Sequence, residues 1–267
     1  MGGGAAGGRQ RFGDVLRSEW AKARTMRSTW YTMLAIVVVG ALFGALFAGA
    51  GAREYATATA AGRAEFDPFG MTFRALFFLQ LIVGYLGMRT VTGEYGVRTL
   101  PAGLVAVPRR GRMLAAKAVV CSAMAFVAGE AAALAVYLTG RAVLTAQAVP
   151  AYDVGQPGVA RAMVGVGILM ATMSLFGLAL GFLLRATSAG LTVLVVVTAL
   201  IPAMAPVFPA WLASFVVKYW PAQAGGRLVS VREQPGLLAP WTGYAVFCGY
   251  VAVALLAAFA AFRRRDA

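Results

Sequence analysis

This chain carries little that could do covalent chemistry: ten acidic residues, two cysteines and no histidine among 267 residues. Cys121 and Cys248 both fall inside apolar stretches at different expected depths, so small packed thiols are a better reading than a disulfide. Zinc or haem ligation has almost no material to work with. There is no GxxxxGK[ST] phosphate loop and no GxGxxG following a strand, so nucleotide is not held by those means. An enzyme embedded in a membrane would need a cluster of acids, histidines or cysteines at one membrane face, and no such cluster is visible.

Glu130, in AGEAAALAV, is the ionisable residue placed well inside an apolar stretch. An ionised group there costs several kcal/mol unless it is paired or wetted. Two readings stand. Glu130 faces a central cavity or subunit interface and meets a cationic or polar substrate, or it is a protonated or hydrogen-bonded side chain that holds helices together. The first would suit an ion-coupled carrier or channel, although such carriers commonly bury several ionisable groups. Arg74, Lys117 and Arg161 sit near the ends of apolar stretches, where they are expected to snorkel to an interface.

The densest charge lies in TGEYGVRTLPAGLVAVPRRGRMLAAK, residues 92–117, where Arg98, Arg109, Arg110, Arg112 and Lys117 face one acid, Glu94. Gly93, Gly96, Pro101, Gly103 and Pro108 forbid one continuous helix, while GLVAV leaves room for a short one. A short helix held along the membrane face by two spans can move those spans when pushed. The other reading is that the cations only anchor topology and bind anionic membrane lipid.

The elements that must position these residues are membrane spans. Hydrophobic residues make up 60% of the chain and charged ones 13%, against roughly 25% in soluble proteins. Mean hydropathy is +0.75. The net charge of +14 then reads as orientation signal rather than nucleic-acid binding. A bilayer core needs roughly 20 apolar residues per helix, and six stretches qualify: 30–49, 72–90, 114–139, 161–184, 188–208 and 241–262. The fifth holds Pro202 and Pro206, so its outer end is expected to break or bend.

Six spans put both termini on one side. Lysine and arginine divide two to one in favour of that side, which includes residues 92–117 and is therefore cytoplasmic. Before the first span, Phe12, Val15, Leu16, Trp20, Ala23 and Met26 share one helical face, as in a basic amphipathic helix in the headgroup layer. The opening MGGGAAGGRQ reads as a flexible tail without a signal peptide's apolar core. Residues 209–236, with Trp211, Tyr219 and Trp220, are too short and interrupted to cross again. They read as one or two re-entrant or interfacial helices with those aromatics at headgroup level.

The combination of RSEWAKARTMRSTW, six spans, GEY...T...VPRRGR...AAK and KYWPAQAG resembles a permease subunit of the ATP-binding-cassette exporters, in the type-2 family common in actinobacteria, over nearly the whole chain. The resemblance implies an all-α membrane protein of the bacterial plasma membrane: a tail over 1–11, a connecting helix over 12–29, and a six-helix domain over 30–267 with a coupling loop at 92–113 and an outer loop at 209–240. It implies that the first cytoplasmic loop docks on a separate ATP-hydrolysing subunit, which would carry the ATP and Mg, this chain holding no cofactor and catalysing nothing. Glu94 and Tyr95 would belong to the GEY motif, Thr99 to the threonine after it, and Leu104 to the coupling helix. Pro108, Arg109 and Arg110 would precede the third span, with Lys117 at its start. Glu19, Trp20 and Lys22 would lie on the connecting helix, also facing the ATPase. Arg98 stands where the family has a glycine, and Pro101 departs from its pattern. A second permease copy or a paralogue would complete the transporter.

Overall fold

The computed structural model describes residues 12–96, 110–232 and 234–265, with side chains described except at 94–96, 110 and 262–265. Among these residues every regular element is helical. Helix α1 (Phe12–Thr25) is followed at Met26 by a turn to extended backbone and then by α2 (Arg27–Thr57), which crosses the membrane. On the far side come α3 (Ala60–Glu65) and α4 (Pro68–Phe73). The first is capped by the Thr59 hydroxyl, which accepts from the Gly62 N–H. The second is capped by Asp67, with Pro68 pre-set for the first turn. Then follow α5 (Leu76–Gly96), α6 (Arg110–Ala146), α7 (Val159–Leu184), α8 (Thr187–Val195), α9 (Ala210–Tyr219), α10 (Pro221–Gly226) and α11 (Pro240–Arg265).

Five helical stretches are long and apolar enough to cross a membrane: Arg27–Thr57, Pro68–Gly93, Gly111–Ala146, Val159–Leu184 and Pro240–Ala261. The fifth expected span, Thr187–Ala203, is apolar but shorter, roughly 25 Å against a hydrocarbon core of about 30 Å. The six expected full-length spans are therefore five long helices and one shorter apolar helix whose regular geometry is interrupted. The interruption has a local cause. From Val196 to Leu200 the helix adopts π geometry, with the Ile201 N–H donating to the Val196 carbonyl five residues back. In that register the next acceptor, Val197 O, would need an N–H from residue 202, which is proline. The indole Nε1 of Trp220 supplies the bond instead, 2.6 Å from Val197 O. Trp211 and Tyr219 are exposed, whereas Trp220 turns inward to serve that carbonyl.

Helix α7 is the centre of the bundle. In its most apolar window 78% of residues are buried, against 22% for α2 and 17% for α11. It packs on α5, α6 and α11, and α2 lies along the opposite flank of α6. Lipid supplies no hydrophobic drive between helices, so close backbone contact must hold them. Between α5 and α7 it does: a Cβ on Gly87 would collide with the Ser174 carbonyl, and one on Gly177 with the Gly84 carbonyl. Along α2, the residues Trp30, Leu34, Val38, Leu42 and Leu46 form an exposed apolar stripe at four-residue spacing, suited to lipid or another subunit.

Candidate functional site

At the end of the bundle where α1 lies, the face of α1 turned to the bundle is Val15, Leu16, Glu19 and Ala23, while Phe12, Trp20 and Met26 are exposed. The sequence face and the packed face differ because an acid, not an aromatic, makes the inward contact. Glu19 Oε2 lies 2.8 Å from Lys117 Nζ of α6, and Oε1 lies 2.8 Å from Lys22 Nζ of the next turn. The Lys117 side chain is 3% exposed and that of Glu19 10%. Burial opposes ionisation of Glu19, but the charges and hydrogen bonds of Lys117 and Lys22 outweigh it and hold its pKa below the usual carboxylate value.

Lys117 was expected to snorkel outward. It is buried because Glu19 meets it there, and a charge so enclosed needs a partner. It lies two turns into α6, the helix that resumes the chain after the link. The helix that leads into the link, α5, has its own fastening: Thr187 Oγ1, at the start of α8, donates to Thr92 Oγ1 at 2.7 Å. The two ends of the link are thus tied to different helices, α5 to α8 and α6 to α1. A further bond, Trp30 Nε1 to Arg24 O at 2.8 Å, joins α1 to α2.

Of the residues singled out in the sequence, Glu94 and Tyr95 close α5 and Arg110 opens α6, with side chains outside the described residues. Thr99, Leu104, Pro108 and Arg109 lie outside them entirely. Trp20 is exposed and Lys22 half-exposed. Lys117 as the partner of Glu19, and the pair Thr92 and Thr187, were not legible. A lysine two turns into an alanine-rich span was the available signal, but its acid lies 98 residues away in sequence.

Glu130 stands apart from this end. Its carboxylate rests on α7 over Gly167, where a Cβ would strike it, and its Oε1 is buried without a partner among the described residues. At the opposite end of the bundle, Arg161 donates to Leu228 O (2.6 Å) and Ser230 O (2.8 Å), so it pins the chain after α10 instead of snorkelling. A cavity of about 670 Å³ opens there between Phe47, Phe73, Gln80, Gln223 and Arg227, and Gln80 Oε1 is also buried without a described partner. Among the described residues no three acids, histidines or cysteines gather as a metal site would require.

A family model described as ABC-2 family transporter protein matches residues 15–200. No curated protein matches the chain.

Proposed function

The chain belongs to the ABC-2 family of transporter proteins, and from that premise we propose that it is the permease half of an exporter, driven through residues 92–117. Family membership makes it a multi-pass membrane protein, the transport subunit of an ATP-binding-cassette system, working with an ATP-binding subunit. The finer reading is ours: the chain sits in the bacterial plasma membrane with both termini cytoplasmic. It pairs with a second copy or a paralogue and forms the translocation pathway. ATP closes the ATPase subunits, that closure pushes the link, and the permease pair moves from inward-facing to outward-facing.

The observation that carries the proposal is the separate fastening of the two link ends. Because α5 is tied to α8 and α6 to α1, a push on the link reaches both helix pairs as well as α7, on which α5 and α6 pack. Contacts that differ between the two arrangements are what a coupling free energy requires. The ion-coupled reading of Glu130 is not favoured by the family.

The test is ATPase activity and transport by this chain purified with its ATP-binding subunit, comparing wild type with Glu94→Ala and with Arg109→Ala/Arg110→Ala. Uncoupling, with hydrolysis retained and transport lost, or dissociation of the complex is the expected result. If no ATP-binding subunit associates, coupling through this link is wrong.

A further inference from the structure

We propose that the cavity between α1, α2, α5 and α6 holds the headgroup of one resident anionic phospholipid, drawn from the leaflet on which α1 lies. The cavity is about 510 Å³, within the roughly 300–1,000 Å³ usual for sites of small ligands. It is polar at one end and apolar at the other, and that order follows the order of a lipid molecule.

The polar end is positively charged. Lys22, Arg89 and Lys117 line it, and Glu19 is the one acid among the described lining residues. Both Glu19 oxygens already face lysines, so its charge is largely met within the protein. Arg89 is exposed and engages no other described residue, which leaves five guanidinium donors directed by nothing else described. An arginine so placed suits a phosphate, whose oxygens it can meet two at a time.

A second group of donors comes from the start of α2. Ser28 and Thr29 line the cavity, Thr29 is only 7% exposed, and neither hydroxyl has a described partner. No side chain caps this helix, its first turn contains no acid, and Met26 at its N-cap also lines the cavity. The Thr29 N–H already donates to Met26 O, but the start of the helix and the positive end of its dipole still add to the attraction for an anion. Arginine, hydroxyls and helix terminus are three separate features, on two helices, converging on one space.

The apolar end decides between a lipid and a soluble anion. Leu86, Val120 and Met124 continue the lining beyond Arg89 and Lys117, further along α5 and α6 from the link. Lys117 and Met124 stand about 10 Å apart along α6, enough to accompany the glycerol backbone and the first carbons of an acyl chain. Free phosphate would leave this surface uncovered. Trp20 and Trp30 are exposed on the α1 side, as aromatics at headgroup depth are. A zwitterionic lipid would bring a choline or ethanolamine cation beside three others, whereas an anionic one brings only negative charge. A lipid seated here would touch α1, α2, α5 and α6 together and hold α1 against the bundle. The site does not depend on what the protein transports.

Native mass spectrometry of the full-length chain in detergent tests this, with phosphatidylglycerol, phosphatidylcholine and inorganic phosphate as separate probes. The expected result is saturable retention of one phosphatidylglycerol per chain, weak retention of phosphatidylcholine, and no displacement by millimolar phosphate. Arg89→Gln/Thr29→Val should weaken phosphatidylglycerol binding about tenfold or more. Arg53→Gln, an exposed arginine on the other side, should leave it unchanged. Thermal unfolding in detergent confirms that each variant is folded. Equal retention of the two lipids, an unaffected Arg89→Gln/Thr29→Val variant, or displacement by phosphate would each overturn the assignment.

Discussion

At the end of the bundle opposite α1 arginine binds backbone, whereas at the end where α1 lies lysine binds a carboxylate. Arg63 donates to Tyr55 O and Ala56 O, Arg161 to Leu228 O and Ser230 O, Arg227 to Leu238 O, and Arg232 to Glu65 O. Arg141 holds Tyr152 O and the Asp153 carboxylate together and keeps the pKa of Asp153 below its usual value. These arginines occupy carbonyls that short helices and loops leave open, and the outcome is a cap fastened through its backbone. At the other end Glu19 clamps α1 to α6, while the side chains of Arg17, Arg24, Arg27 and Arg89 engage no other described residue. One residue class serves as internal fastening on one side and remains available to partners on the other. What differs is the local supply of unpaired carbonyls.

The comparison breaks most sharply at Lys117. Lys117→Met leaves Glu19 enclosed without its main partner and should cost about 3–5 kcal/mol, read as thermal unfolding in detergent. Glu19→Met/Lys117→Met should recover most of that loss, because the unpaired charge is gone. A neutral single variant would mean that the clamp does not hold α1. The same pair has a signature in pH. The folded-state pKa of Glu19 is lowered, so its contribution is complete above the ordinary carboxylate range and is lost as pH falls through the folded value. Unfolding of the wild type should therefore weaken on acidification more than unfolding of the double methionine variant.

A smaller effect is expected at the cap opposite α1. Arg161→Ala strands two carbonyls and should cost about 2 kcal/mol, with faster proteolysis within residues 209–240. If that segment stays resistant, the arginine is not what secures it. Trp220→Phe removes the donor to Val197 O and should cost about 1 kcal/mol, with faster amide exchange confined to α8 and α9. The smallest change in stability belongs to Thr187→Val, below about 1 kcal/mol. Its value lies in function: transport per ATP hydrolysed should fall while folding holds, and an unchanged ratio would separate the α5 to α8 tie from coupling.

Most of the fold was legible because a membrane imposes a local rule. Backbone polar groups cannot stay unpaired in hydrocarbon, so each long apolar run becomes a helix whatever its neighbours do. The first, third, fourth and sixth runs correspond to Arg27–Thr57, Gly111–Ala146, Val159–Leu184 and Pro240–Ala261. The second was placed late, since Pro68 opens a helical turn that continues past a bend at Arg74. Pro202 and Pro206 marked the disturbance of the fifth, and the π turn beside them was beyond reach because its bonding is completed by Trp220. The candidate site was less legible. Glu19 stood out by its motif, but the amphipathic pattern of α1 pointed to its aromatics as the buried face. Lys117 looked like a residue reaching for the interface.

By itself the sequence determined the helices, the asymmetry of basic residues and the position of the link, because hydropathy, helix geometry and proline act within a few residues. Only the tertiary structure decided that Glu19 closes on Lys117, that Thr92 meets Thr187, and that Arg161 serves the chain after α10. Each of these pairs joins residues far apart in sequence. Which polar group meets which in a low-dielectric interior depends on how helices stack, and that stacking is governed by close contacts such as Gly87 against Ser174, whose partners lie far apart in sequence.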